Sequence, residues 1–334
     1  MTEGRELALS VVVCTYQRLR GLRDSLPAVL CQEPVPGGSE TLVVVDGSTD
    51  GTAEWLATLR DPGLRIVVQE NRGLAAARNR GAAEARGRAV LFLDDDVHPS
   101  PGLARAHAAR QEGAGAVVLG PLPLLRRGPV SFLAEGVDRW AAALAARLSD
   151  PAYAPRLDDF CFANASVARS ILRRTGGFDE GFREYGNEDL DYGWRLLQAG
   201  VPVLFAPDAV AWQHYAKGFR TWVGEWRSVG RADIALWRRH PTVEEALAFA
   251  ALRSRHPLRR AVLRAGLRGS PLVAASLAPL TLALAAAHRL RLRVHLLDLL
   301  KWLPADHAYG LGLRDALGTQ AWPRSLAEGV AQIP

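Results

Sequence analysis

Ala89-Val90-Leu91-Phe92-Leu93-Asp94-Asp95-Asp96 is the stretch on which the reading of this chain turns. Five consecutive apolar residues closed off by charge describe a short strand buried on both faces, as in a parallel sheet covered by helices. The three carboxylates that follow are placed together at the mouth of that sheet, where their mutual repulsion is severe without a counter-charge. A hard divalent cation relieves it, since Mg2+ and Mn2+ prefer oxygen ligands, typically one or two carboxylates with water and substrate phosphates in the remaining positions. An acidic triplet by itself is more often a solvated turn; its position directly after a buried strand is what points to a metal site.

Outward from this strand, further β-branched runs, Leu9 to Cys14, Thr41 to Val45, Arg65 to Val68 and Ala116 to Leu119, alternate with helix-like segments, Leu19 to Cys31, Thr52 to Arg60, Gly73 to Ala85 and Pro101 to Glu112. The alternation predicts an α/β fold, a mostly parallel nucleotide-binding sheet flanked by helices. Ligands of such open sheets sit beyond the carboxyl ends of the strands. Thr15, Asp46 and the Asp94 to Asp96 triplet stand at those ends.

Each neighbouring motif has a plain structural reading and a chemical one. In Asp46-Gly47-Ser48-Thr49-Asp50-Gly51-Thr52, Asp50 or Thr52 caps the next helix and the glycines permit a tight turn, which leaves Asp46 to hydrogen-bond a base or ribose. Asn71-Arg72-Gly73 opens a helix with an unusually small inner face, Leu74 to Gly81, from which Arg78 or Asn79 can reach phosphate or ribose oxygens; a tightly packed helix with surface arginines is the alternative. Gly176-Gly177-Phe178-Asp179-Glu180 and Tyr185 to Arg195 form the most telling segment. A helix beginning near Glu188 puts Glu188, Asp191, Tyr192 and Arg195 on one face and leaves the Asp189 carboxylate free to point into a cleft. Capping accounts for one acid there, not three, so Asp189 is a candidate general base. His214 follows Trp212-Gln213; a lone histidine beside aromatics is usually packed, and it gains interest only because carboxylate-bound Mn2+ often accepts an imidazole.

The 334 residues, 49% hydrophobic and 23% charged, are ample for one large core plus an extension, and exclude a fibrous or low-complexity chain. The net charge of +6 favours anionic partners. Arginines gather late, at Arg253, Arg255, Arg259, Arg260, Arg264, Arg268, Arg289, Arg291 and Arg293, whereas the acidic clusters lie earlier. Cys14, Cys31 and Cys161 suggest neither a zinc site nor a disulfide framework, and Met1 to Leu9 lacks the layout of a secretory signal, so a cytoplasmic location is expected. Pro271 to Ala287 contains no charged residue and reads either as a buried helical hairpin or as a membrane contact. The expected division is a domain over 1–220, with a nucleotide-binding half at 1–120 and a second half at 121–220, followed by a helical C-terminal region at 221–334.

Taken in order, Thr15-Tyr16, the Asp46 to Thr52 motif, Gly73 to Gly81 with its Ala-Arg-Asn, the Asp94 triplet, Gly176 to Glu180 and Asn187-Glu188-Asp189-Leu190-Asp191 resemble glycosyltransferase family 2, the inverting family with the GT-A fold, and are similar to bacterial glycosyl and rhamnosyl transferases. The resemblance implies that Asp94 and Asp96 form an Asp-x-Asp pair, with Asp96 nearest a Mn2+ or Mg2+ ion and Asp94 or Asp95 nearer the ribose. It implies that Asp189 is the catalytic base with Glu188 as its neighbour, and that His214 completes the metal set. Thr15, Tyr16, Arg18, Asp46, Asn71, Gly73, Arg78, Asn79, Asp94 and Asp95 fall to the nucleotide sugar. The chain departs from the pattern in having Val45 before a single Asp46, where many members carry two polar residues, so UDP-, dTDP- and GDP-sugars all stay open as donors. The implied acceptor is a hydroxyl, lipid-linked if the C-terminal region makes peripheral contact with the inner face of the membrane; nucleic acid is not an expected partner. A nucleotidyltransferase would share the sheet and carboxylates but needs a glycine-rich loop that Cys14 to Arg18 lacks. A noncatalytic membrane or nucleic-acid binder would leave the acidic crevice unexplained.

Overall fold

In a computed structural model describing residues 6–250, 256–292, 295–318 and 322–331, the strands β1 (Leu7–Thr15), β2 (Ser39–Asp46), β3 (Leu64–Gln69) and β4 (Gly87–Asp94) run parallel in the order β3-β2-β1-β4. Arg253, Arg255 and Arg293 of the basic series lie outside the described residues. Alternate residues of these strands enter two separate cores. Leu9, Val11, Val13, Val43, Val45, Leu91 and Leu93 pack on one face, and Val12, Cys14, Leu42, Val44, Val90 and Phe92 on the other. With both faces of β1, β2 and β4 covered, these strands read as largely apolar runs, whereas β3 at the sheet edge leaves Ile66 and Val68 exposed.

The crossovers are α1 (Leu19–Leu30), α2 (Thr52–Thr58) and α3 (Leu74–Glu84). Asp50 settles which residue caps: one carboxylate oxygen accepts from the Thr52 N–H at 3.2 Å, the other from the Leu19 N–H at 2.8 Å, so it serves the first turns of both α2 and α1. Gly47, at φ +73°, has no room for a side chain, because a Cβ there would sit 2.5 Å from the Asn71 nitrogen.

After β4 come β5 (Val97–Pro99), α4 (Leu103–Gln111), β6 (Val117–Leu119), α5 (Phe132–Leu148), β7 (Asn164–Ala168), α6 (Arg169–Thr175), α7 (Glu188–Gln198), β8 (Val203–Phe205) and β9 (Ala211–Gln213). β7 inserts antiparallel between β4 and β6, and β8 pairs parallel to β6, so the sheet has seven strands ordered β3-β2-β1-β4-β7-β6-β8 with one reversed. β5 and β9 pair separately, Val97 opposite Gln213, and this small ladder carries the end of the acidic triplet to His214.

The chain divides into two compact units. The first comprises Met1–Arg126, Val137–Arg183 and Glu188–Tyr215, and the second Arg127–Gly136, Glu184–Asn187 and Ala216–Pro334. The second is helical: α8 (Phe219–Arg239), α9 (Pro257–Arg268), α10 (Pro271–Arg289), α11 (His295–Leu300), α12 (Trp302–Leu317) and α13 (Arg324–Ala331). α12 meets its neighbours backbone to backbone. A Cβ at Gly230 of α8 would stand 2.4 Å from the Tyr309 carbonyl oxygen, and one at Gly266 of α9 would stand 2.3 Å from that of His307. Trp222 and Trp226 of α8 close edge-on against Trp302, at centroid separations of 5.6 and 5.2 Å. Within the same unit Asp233 accepts from Asn187 Nδ2 at 2.7 Å and from the Tyr309 hydroxyl, holding Asn187 at φ +67° just before α7 begins.

The expectation of a buried hairpin over Pro271 to Ala287 is overturned. α10 is one continuous helix and only 11% of its most apolar window is buried. α12 packs extensively against both α8 and α9, and α10 is buried only at Leu284 and Ala287.

Candidate active site

The site is assembled at the carboxyl ends of β1, β2 and β4 and the first turn of α7, all in the first unit. Its centre is Arg78, on the inner face of α3. The small residues Ala75, Ala76, Ala77 and Gly81 let this helix approach the sheet so closely that a Cβ at Gly81 would meet Val12 Cγ1 at 2.3 Å. Arg78 is thereby 3% exposed, and its guanidinium contacts Asp189 at 2.6 Å, Asp94 at 3.1 Å and Glu188 at 3.4 Å. Phe178 lies under it at 5.2 Å, part of an aromatic group with Phe92, Phe162 and Tyr192. Burial works against the charge of Arg78, but Asp189, Asp94 and Glu188 outweigh it and push the guanidinium pKa further up, so it stays a cation. The residue expected to reach phosphate or ribose therefore spends its side chain on the site's own carboxylates.

Asp189 is held from two sides, one oxygen on Arg78 and the other accepting the Phe162 N–H at 2.9 Å. Burial raises its pKa above the ordinary carboxylate range although Arg78 and the Phe162 N–H oppose the rise. Glu188 is pushed up to about 7, first by burial and then by Asp189. Acids whose pKa is raised toward neutrality can exchange a proton there.

At the end of β4, Asp95 accepts the Thr15 hydroxyl at 2.7 Å and pairs with Arg18 at 3.1 Å, while Arg18 also reaches Asp96 at 2.8 Å. Burial lifts Asp95 to about 7 in spite of Arg18. Ser25 of α1 donates to the Asp95 carbonyl at 2.7 Å, fixing the turn from behind. The His214 N–H donates to the Asp96 carbonyl at 2.8 Å, so the histidine and the last aspartate of the triplet are neighbours. Asp24, which carries no motif in the sequence, stands 4.0 Å from His214 Nδ1 and 3.2 Å from His98 Nε2. Among the described residues no three of His, Cys, Asp or Glu are grouped so as to hold a metal ion, so Asp94, Asp96 and His214 are not brought together as one set.

Asp46 is buried, and its carboxylate takes the N–H groups of Arg72 and Gly73, both at 2.9 Å, and the Gln69 amide at 2.7 Å. Asn71 is exposed and donates to the Asp46 carbonyl at 3.1 Å. Asp46 thus shapes the Asn71 to Gly73 wall beside the strand end. Tyr16 is half exposed next to it in the chain from Thr15. Both ends of the Asn79 amide are used by the Phe178 peptide at 2.8 Å, which ties the Ala-Arg-Asn motif to Gly-Gly-Phe-Asp-Glu; a Cβ at Gly177 would collide with Asn79 at 2.5 Å. The two motifs lie together because one is the socket of the other.

The family described as Glycosyl transferase family 2 matches residues 10–175. Validoxylamine A glucosyltransferase of Streptomyces hygroscopicus subsp. limoneus is 29% identical over 275 residues, covering 72% of this chain and 59% of that protein. The chain spans 59% to 63% of the length of the first curated relatives it matches. Among solved structures, the mannosyltransferase PcManGT from Pyrobaculum calidifontis, in complex with GDP-Man and Mn2+, aligns at a TM-score of 0.57 and 23% identity over 91% of this chain and 87% of that one. S. aureus TarS 1-349 in complex with UDP aligns at 0.51 and 17% identity over 91% of both chains. These two likenesses are of fold. With the ordered motifs and the GT-A sheet, the match places the chain in glycosyl transferase family 2.

Proposed function

We propose that this protein transfers a sugar from a nucleotide-diphosphate-sugar to an acceptor hydroxyl in a single displacement with inversion. The observation that carries the reading is the sharing of one buried guanidinium by Asp189 and Asp94, which sets a proton acceptor beside the carboxylates at the end of β4. Asp189 takes the proton of the incoming hydroxyl as that oxygen bonds to the anomeric carbon; the bond from that carbon to the diphosphate breaks, and its electron pair leaves with the phosphate oxygen. Arg78 and the Phe162 N–H hold Asp189 in place for this. Glu188 adjusts its basicity. Thr15, Tyr16, Asp46, Asn71 and Gly73 edge the nucleoside side, and Arg18 lies where donor phosphates would draw it from Asp95 and Asp96.

The donor set at Asp94, Asp96 and His214 fits a hard divalent cation. Carboxylate oxygens and one imidazole are the right chemistry, with diphosphate oxygens and water to fill other positions, although among the described residues the three side chains are not gathered into one group. When bound, Mn2+ or Mg2+ neutralises charge on the diphosphate. The relatives in complex with GDP-Man and Mn2+, and with UDP, support this donor and cofactor class.

In Asp189→Asn, turnover is expected to fall by roughly 10² to 10⁴-fold, the usual worth of a general base, with donor binding preserved. Turnover within about tenfold of the parent enzyme would rule out the assignment.

A further inference from the structure

α10 exposes hydrocarbon along almost its whole length. Of its 19 residues only Leu284 and Ala287 are buried, and Leu272 and Leu282 are 81% and 54% exposed. Exposure of leucine continues beyond its end through Leu290 and Leu292 to Leu296 and Leu299, the last two three residues apart on α11 and so on one face. The hydroxyls that α10 carries are turned onto its own backbone: Ser276 donates to the Val273 carbonyl at 2.9 Å and Thr281 to that of Leu277 at 2.8 Å. Such hydroxyls need no water.

The charge in the sequence that flanks the helix is of one sign. Between Glu245 and Asp298 the chain contains nine arginines and neither Asp nor Glu. Of these, Arg268 stands exposed before α10, and Arg289 and Arg291 stand exposed at its far end. A second copy of the chain would bring like charges together. Nucleic acid offers phosphate without hydrocarbon to receive the leucines. A bilayer with anionic headgroups offers both.

We infer that α10, with its exposed leucines and the arginines at its two ends, docks the protein on an anionic membrane surface and lies along the interface. It does not cross. One side of α10 packs against α8, α9 and α12, which carry Arg231, Asp233, Arg259 and Asp306 within the same unit, and insertion of the full length would draw those charges toward the hydrocarbon. The inference is independent of the transfer chemistry.

The test floats the full chain with vesicles of phosphatidylcholine alone and of phosphatidylcholine mixed with phosphatidylglycerol. Binding is expected to the mixed vesicles, weakening as salt is raised. Leu272→Glu/Leu282→Glu changes two outward side chains and should reduce binding about tenfold or more while leaving the urea midpoint and nucleotide-sugar hydrolysis in solution unchanged. Arg268→Ala/Arg289→Ala should reduce it on the mixed vesicles and spare the fold. Absence of binding to mixed vesicles at low salt overturns the inference, as does undiminished binding of the leucine variant. Resistance to alkaline extraction would show a crossing helix, and a dimer that the leucine variant dissolves would show that a second copy covers α10; either outcome overturns it.

Discussion

Arg78→Ala removes the guanidinium that Asp189, Asp94 and Glu188 contact at 2.6, 3.1 and 3.4 Å, and leaves their carboxylates facing one another. Breaking a buried ion pair from one side costs about 3–5 kcal/mol. Two features place this case at the lower end. The carboxylates that remain are partly exposed, at 33% for Asp94, 12% for Glu188 and 20% for Asp189, so water recovers some of the lost interaction. Glu188, already lifted to about 7, can also take a proton and remove one charge from the group. A loss of about 3 kcal/mol near neutrality follows. The sign of its pH dependence is determined by the same group. Without Arg78 the folded-state pKa values of Glu188 and Asp189 rise further above their unfolded values. The stability of the variant is then fully present below the ordinary carboxylate pKa and is lost as pH climbs through the raised values. Its deficit relative to the parent should widen by up to about 1.4 kcal/mol per pH unit for each proton retained in the folded state. Urea unfolding of both proteins at a series of pH values between about 6 and 8 measures it. A deficit below about 1 kcal/mol, or one that does not change with pH, would refute the claim that Arg78 neutralises the acidic cluster.

Two further perturbations reach the site from its supports. Gly193 faces the Phe160 ring, and a Cβ there would stand 2.3 Å from Cγ, so Gly193→Ala should cost about 1–3 kcal/mol and displace α7 together with Asp189. Its kcat should fall with donor affinity unchanged, and an unaltered kcat would show that α7 does not need this packing to aim the base. On the proposed role of His214 in holding the cation, Asp24→Asn, which removes the carboxylate 4.0 Å from His214 Nδ1, should raise the Mn2+ concentration needed for half-maximal transfer by about tenfold, and chelator should abolish transfer in the parent enzyme. An unchanged Mn2+ requirement in Asp24→Asn would detach Asp24 from His214.

The parallel strands β1, β2 and β4 were legible because they are buried on both faces, which leaves an apolar run followed by an abrupt polar end, as in Ala89 to Asp96. β7 was not. Asn164-Ala165-Ser166-Val167-Ala168 has no unbroken apolar run, yet Asn164 and Ser166 are fully buried within the sheet. They are strand residues because His107 of α4 meets the Ser166 hydroxyl at 2.9 Å and the Asn164 oxygen at 3.0 Å, while Asn164 donates to the Ala209 carbonyl at 2.8 Å. Burial lowers the His107 pKa to about 4, so the ring bridges them uncharged. No local pattern contains that solution, since its partners are separated by 45 to 59 residues. The acidic site divides in the same way. A carboxylate at a strand end has a local reason to be noticed: its backbone position aims it into the crevice. The cation that makes such a cluster tolerable has none. Arg78 looked like a phosphate ligand or a surface arginine until packing delivered it to Asp189, 111 residues later in the chain. Asp24 reaches His214 only through the pairing of β5 with β9. Acids of a charged site can thus be located from sequence periodicity, whereas the groups that set their protonation come from wherever the fold brings a helix face, and need coordinates to be found.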